Sequence, residues 1–118
     1  MPDFILRLSR EESEDNDRWT VFAYNRRVQK SWEKMMNRIP ESLERCLEDL
    51  CTQSMQQYPK RVFPLKGRPY KGAWEYEVSG GDRVLYIPNP ETRQVMVYYA
   101  DSHPNPPSPK PPKDLLLP

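Results

Sequence analysis

The sequence predicts an α+β fold: an N-terminal strand and a helical hairpin packed on an antiparallel sheet, followed by a proline-rich C-terminal tail. Three observations carry this reading. Two adjacent stretches repeat apolar residues at helical spacing, Val28, Trp32, Met35, Met36 and Ile39 in one and Leu43, Cys46, Leu47, Leu50, Cys51 and Met55 in the other. Three later stretches, "AWEYEV", "RVLYI" and "RQVMVYYA", are rich in β-branched and aromatic residues and are separated by "SGGD" and "PNPET". From residue 102 the chain holds seven prolines in 17 residues, which excludes helix and central strand alike.

Taken in order, residues 3 to 8 read as a short strand with Phe4, Leu6 and Leu8 on one face, and "EESEDND" after them as a solvated loop. "WTVFAY" (19–24) reads as a strand. Asn25 is placed to cap a helix over about 26–38, and Pro40 to open a second that runs to about residue 57. Trp32 and Leu47 are expected to be buried against the sheet. Residues 58–72 read as a loop, and the strands 73–78, 83–87 and 93–100 follow. This divides the chain into an extension with an acidic loop (1–18), one folded domain (19–103) and the tail (104–118). A chain of 118 residues can bury one core without disulfides or metals.

The net charge of +1 conceals an uneven distribution. Residues 11–17 carry five carboxylates and no base, whereas residues 18–113 hold sixteen basic against ten acidic residues. A basic body favours a polyanionic partner. The basic charge concentrates in the loop: Lys60, Arg61, Lys66, Arg68 and Lys71 fall within 12 residues that contain no acid. Tyr58, Phe63 and Tyr70 are interleaved with them, a mixture suited to phosphate contact and base stacking in RNA, although a merely solvated loop has the same composition. Cys46 and Cys51, five apart on one helix, read as buried reduced thiols, and no stretch is long enough to span a membrane; a cytoplasmic protein is expected. One histidine and two helical cysteines make no metal ligand set, and no cofactor motif is present.

The run "PLKGRPYKGAWEYEVSGGDRVLYI" resembles the central signature of the RelE/ParE superfamily of bacterial toxins from toxin–antitoxin pairs. The corresponding residues are Leu65-Lys66-Gly67, Gly72-Ala73-Trp74, Tyr76-Glu77-Val78 and Arg83-Val84-Leu85-Tyr86, and the resemblance covers about residues 19–103. It implies a toxin with a cognate antitoxin. In the RelE-like branch it implies a ribosome-dependent mRNA endonuclease, in which the RNA 2′-hydroxyl attacks the adjacent phosphate without a metal. That chemistry needs a base, cations for the phosphorane charge and an acid for the leaving oxygen. Matching the YoeB-like group, Arg83 would hold phosphate and His103 would be the acid; the nuclease reading adds Lys66 on phosphate, and the basic loop offers Lys60, Arg61, Arg68, Lys71 and Tyr70 for binding RNA. The family's glutamate base is replaced here by Phe63, its terminal tyrosine by Pro104, and the strand-end arginine of RelE by Ser79. A nuclease weakened by the missing base, a gyrase inhibitor of the ParE kind and a binding protein on the same fold therefore all stay open, as does the oligomeric state.

Two of these residues also have structural readings. Arg83 can pair with Asp82 or Glu75 across the hairpin instead of holding phosphate, and His103 can be a turn residue. If functional, Arg83 and Lys66 should face one concave surface with the 60–71 loop, and Arg83→Ala should leave the melting temperature nearly unchanged. The tail either folds back across the domain or stays free of it.

Overall fold

In the computed structural model, residues 6–10 and 17–112 are described. Asn25, extended at φ −154°, accepts the Val28 N–H on its side chain at 3.0 Å and so starts the first helix where a cap was expected. The elements are β1 (Thr20–Ala23), α1 (Arg26–Arg38), α2 (Pro40–Gln53), β2 (Val62–Pro64), β3 (Trp74–Ser79), β4 (Asp82–Asn89) and β5 (Gln94–Ser102). One five-stranded sheet has the order β1-β5-β4-β3-β2, antiparallel throughout except that β1 runs parallel to β5. The α+β class with a helical hairpin on a sheet is as predicted.

The two helical stripes pack on one face of that sheet. Val28, Trp32 and Met35 of α1 and Leu43, Cys46, Leu50 and Cys51 of α2 meet Val21, Tyr76, Val84, Tyr86, Val95 and Val97. Trp32 is buried and Leu47 half-buried at the margin. Both thiols are free, and burial pushes Cys46 well above the ordinary thiol range.

Four expectations need correction. The sheet is not wholly antiparallel: between β1 and β5 the chain runs through α1, α2 and the antiparallel strands β2 to β4, a long connection that lets β1 and β5 lie side by side in the same direction. Helix α2 ends at Gln53 rather than near 57, because its last carbonyls find tertiary donors. The Trp19 N–H donates to Cys51 at 2.8 Å and the Tyr86 hydroxyl to Ser54 at 2.7 Å, which leaves Met55 half-exposed beyond the helix. The 58–72 segment contains an edge strand, β2, whose terminal Pro64 is tolerated because no strand lies beyond it. Of the predicted strand at 3–8, residues 3–5 lie outside the described residues, and Arg7 makes a single bridge to Phe22. The acidic residues 11–16 also lie outside.

On the opposite face of the sheet, Ala73, Leu85, Ile87 and Tyr98 form a second apolar cluster. The tail folds back over it. Tyr70 donates its hydroxyl to the Ser108 carbonyl at 2.9 Å and Tyr98 to that of Pro109 at 3.1 Å, and Pro111 is buried. Burial raises the Tyr98 phenol far above its ordinary pKa, so it remains a donor at any physiological pH. Residues 113–118 are outside the described residues.

A bidentate ion pair ties the end of α1 to the β3–β4 turn. Arg38 donates to both oxygens of the buried Asp82 carboxylate at 2.6 and 3.2 Å, and the Ser79 hydroxyl adds 2.7 Å. The Arg38 hydrogen bond is the main cause that holds the Asp82 carboxyl below the usual range. A depressed folded pKa stabilises at pH values above the unfolded one and is lost as pH falls through the folded one. The melting temperature should thus fall steeply below about pH 4. Asp82→Asn should be less stable than the parent at pH 7 yet lose less on acidification, which circular dichroism melts from pH 6 to 2 would measure.

Candidate nucleic-acid interface

Alternation along β4 sends Val84 and Tyr86 toward the helices and Arg83, Leu85 and Ile87 to the tail-covered face. The cross-strand register places Glu77 opposite Arg83, with Glu75 on the same side of β3. Arg83 is consequently saturated. Its Nε lies 3.3 Å from Glu75 and one terminal nitrogen 4.0 Å from Glu77, while the other donates to the carbonyls of Ser79 at 2.7 Å and Asp82 at 3.0 Å. The side chains of Arg83 and Glu75 are each only 12% exposed. Two carboxylates against one guanidinium leave this cluster net negative, which opposes entry of a phosphate.

His103 lies at the same end of the sheet. Its N–H donates to Gly81 at 2.8 Å in the β3–β4 turn, while its exposed ring approaches the Pro104 carbonyl at 2.9 Å. Arg83 pairs across the ladder with Asp101, two residues before His103.

The basic loop is divided by β2. Lys60 and Arg61 sit at the Arg83 end, since the Arg61 carbonyl accepts from Glu77 at 2.7 Å. Lys60 closes a turn between the bridged residues Tyr58 and Val62 and adopts φ 70°, a left-handed conformation that costs a non-glycine residue about 1 kcal/mol. Lys66 lies past the other end, where Leu65 N–H donates to Ala73. Gly67 at φ 106° then turns the chain into a 3-10 turn over Arg68–Tyr70, and Lys71 follows. Four residues of strand, about 13 Å, separate Ala73 from Glu77. The expected shared surface for Arg83 and Lys66 therefore does not form: the register brings Arg83 together with His103, Lys60 and Arg61, and leaves Lys66, Arg68, Lys71 and Tyr70 at the opposite end.

Lys60, Arg61, Lys66, Arg68 and Lys71 are exposed, and none has an ion-pair partner among the described residues. That contrast with Arg83 is the main electrostatic feature of the site. Of the two pairings open to Arg83 in the sequence, the structure takes Glu75. Asp82 gives its carboxylate to Arg38 and only its carbonyl to Arg83. Glu77 was not singled out in the sequence as a partner for Arg83; its position opposite Arg83 across a two-residue turn was the signal for the pair. No helix among the described residues is long and apolar enough to cross a membrane.

No family model and no curated protein matches the chain. Among solved structures it is similar to a chain of the toxin–antitoxin complex RelBE2 from Mycobacterium tuberculosis, with a TM-score of 0.56 and 22% identity. The match covers 73% of this chain and 99% of that one. The element order, the sheet topology and this likeness together give the chain a RelE-like α+β fold, two helices on a five-stranded, mostly antiparallel sheet.

Proposed function

We propose that this chain is the toxin component of a toxin–antitoxin pair and that it engages RNA through the 60–71 loop by binding rather than by cleavage. Its fold likeness to a chain of a toxin–antitoxin complex supports an antitoxin as partner. The observation that carries the RNA reading is the contrast between five exposed loop cations with no ion-pair partner among the described residues and an Arg83 already neutralised by Glu75 and Glu77. Unpaired surface cations release counterions from a polyanion, whereas a guanidinium with two carboxylates has no charge left to offer. Growth arrest would then follow from occupation of mRNA, on the ribosome or off it.

A second reading is favoured by one specific juxtaposition, the Glu75–Arg83–Glu77 cluster at the sheet end that also holds His103. In that reading Glu77, the more exposed carboxylate, takes the 2′-proton, the 2′-oxygen bonds to phosphorus, and Arg83 steadies the phosphorane. His103 protonates the departing 5′-oxygen and a 2′,3′-cyclic phosphate remains. The substitution Phe63 for the family's base is then met by a carboxylate from the neighbouring strand.

Two measurements on one protein separate these readings. Binding to a labelled single-stranded RNA should weaken at least tenfold in the triple variant Lys66→Ala, Arg68→Ala, Lys71→Ala. The slope of log affinity against log salt should fall by about 2, as expected for three lost phosphate contacts on a single strand. Induced expression with mapping of mRNA 5′ ends should show no new ends; cuts within translated codons would select the nuclease, and intact mRNA with blocked supercoiling would select a gyrase target.

A further inference from the structure

A cleft of about 280 Å³ opens between α1, β5 and the docked tail, lined in part by Tyr24, Arg27, Ser31, Tyr99, Asp101 and Lys110. Its size lies near the lower end of ligand pockets, which run from about 300 Å³ upward, the scale of one nucleotide. Arg27 and Ser31 are four residues apart on α1 and so share one face of the helix. Lys110 comes from the opposite wall, and its place is set by the preceding residue, whose carbonyl is held by the Tyr98 hydroxyl. Neither Arg27 nor Lys110 has an ion-pair partner among the described residues. Asp101, the one acid of the lining, accepts from its own neighbour Ser102 at 2.7 Å and lies within the field of Arg38. Two cations from facing walls thus outweigh one engaged carboxylate, and Tyr24 and Tyr99 are half-buried beside them.

The cleft also continues the loop cations. Tyr70, between Arg68 and Lys71, holds Ser108, and Lys110 is two residues further along the tail, about 6 Å in a polyproline II segment. We propose that this cleft is a nucleotide subsite for single-stranded RNA, in which Arg27 and Lys110 clasp a phosphate from opposite walls and Tyr24 and Tyr99 receive the base. The inference rests on the RNA reading above and extends it to a second position on the strand. Because Lys110, Pro109 and Pro112 form one wall, the subsite exists only while the tail is docked.

The test uses the full chain with two probes, a labelled single-stranded RNA of about eight nucleotides and 5′-AMP. The double variant Arg27→Ala, Lys110→Ala should bind the RNA about tenfold more weakly and lose AMP binding. Arg27→Lys, Lys110→Arg should restore most of both, and the loop triple variant should bind AMP within twofold of the parent. Matching far-UV spectra and melting temperatures would establish that the variants are folded. RNA binding that is unchanged in the double alanine variant overturns the cleft and leaves the loop reading standing. AMP binding without any RNA binding overturns the RNA reading and keeps the cleft as a free-nucleotide site. Inorganic phosphate that competes as well as AMP overturns the base contact.

Discussion

Replacing Arg83 with alanine is expected to destabilise the fold by about 3 kcal/mol, the lower end of the range for breaking a buried ion pair. The change would leave the Glu75 carboxylate 12% exposed with no cation, and would strip a donor from the carbonyls of Ser79 and Asp82. Glu77 is 30% exposed and can turn to water, so its share of the loss is small. The double variant Glu75→Gln, Arg83→Ala should recover much of the loss, because the stranded charge goes with its partner. Urea denaturation would show this as a lower midpoint at constant slope. A midpoint equal to the parent's would free Arg83 from its structural duty and return it to the list of phosphate ligands.

The largest expected loss is at Trp32. It is 3% exposed, lies in the middle of α1 and meets the sheet face that carries Val84, Val95 and Val97. Truncation to alanine removes the indole's burial and leaves a cavity that a helix pinned by its cap at Asn25 and by Arg38 cannot close, at a cost of about 3–5 kcal/mol. Domains of this size hold about 5–15 kcal/mol in all. The melting temperature should drop by roughly 10–20 °C, read by calorimetry. A drop below about 4 °C would mean that the helix does not pack on the sheet as described.

What could be read from the sequence follows the range of the forces involved. The limits of α1 were legible because both are local: Asn25 caps its own third N–H, and Pro40 begins the next helix. The end of α2 was not, since the donor to Ser54 is Tyr86, 32 residues later. Strand β2 escaped because three residues ending in proline carry almost no periodicity; only pairing with β3 makes them a strand. The Arg38–Asp82 pair spans 44 residues and has no sequence signature. At the site, the alternatives for Arg83 could be stated in advance, but the choice among them depended on Glu75 and Glu77 sharing its face. The placement of Lys66 failed for the same kind of reason. A loop contiguous in sequence was treated as contiguous in space, and β2 carries its two halves to opposite ends of the sheet. Docking of the tail was one of two outcomes its composition left open, and the tyrosine hydroxyls that hold it come from positions that alternation alone marks as sheet surface.

The parallel pairing of β1 with β5 has a consequence for the order in which the molecule can be made. Thr20 finds its ladder partner in Gln94, 74 residues later, and among the described residues the other side of β1 carries only the isolated bridge from Arg7 to Phe22. A chain synthesised from its N-terminus therefore produces the first strand and both helices long before the central part of their sheet exists. Through most of translation, Val28, Trp32, Met35, Leu43 and Leu50 have neither Val84 nor Val95 and Val97 to cover them. The helices can form early from local contacts, but their apolar face stays open until β5 emerges and closes the sheet in a single late step. A nascent chain stalled before residue 94 is thus a sticky half-domain, and the last strand acts as the latch that turns it into a protein.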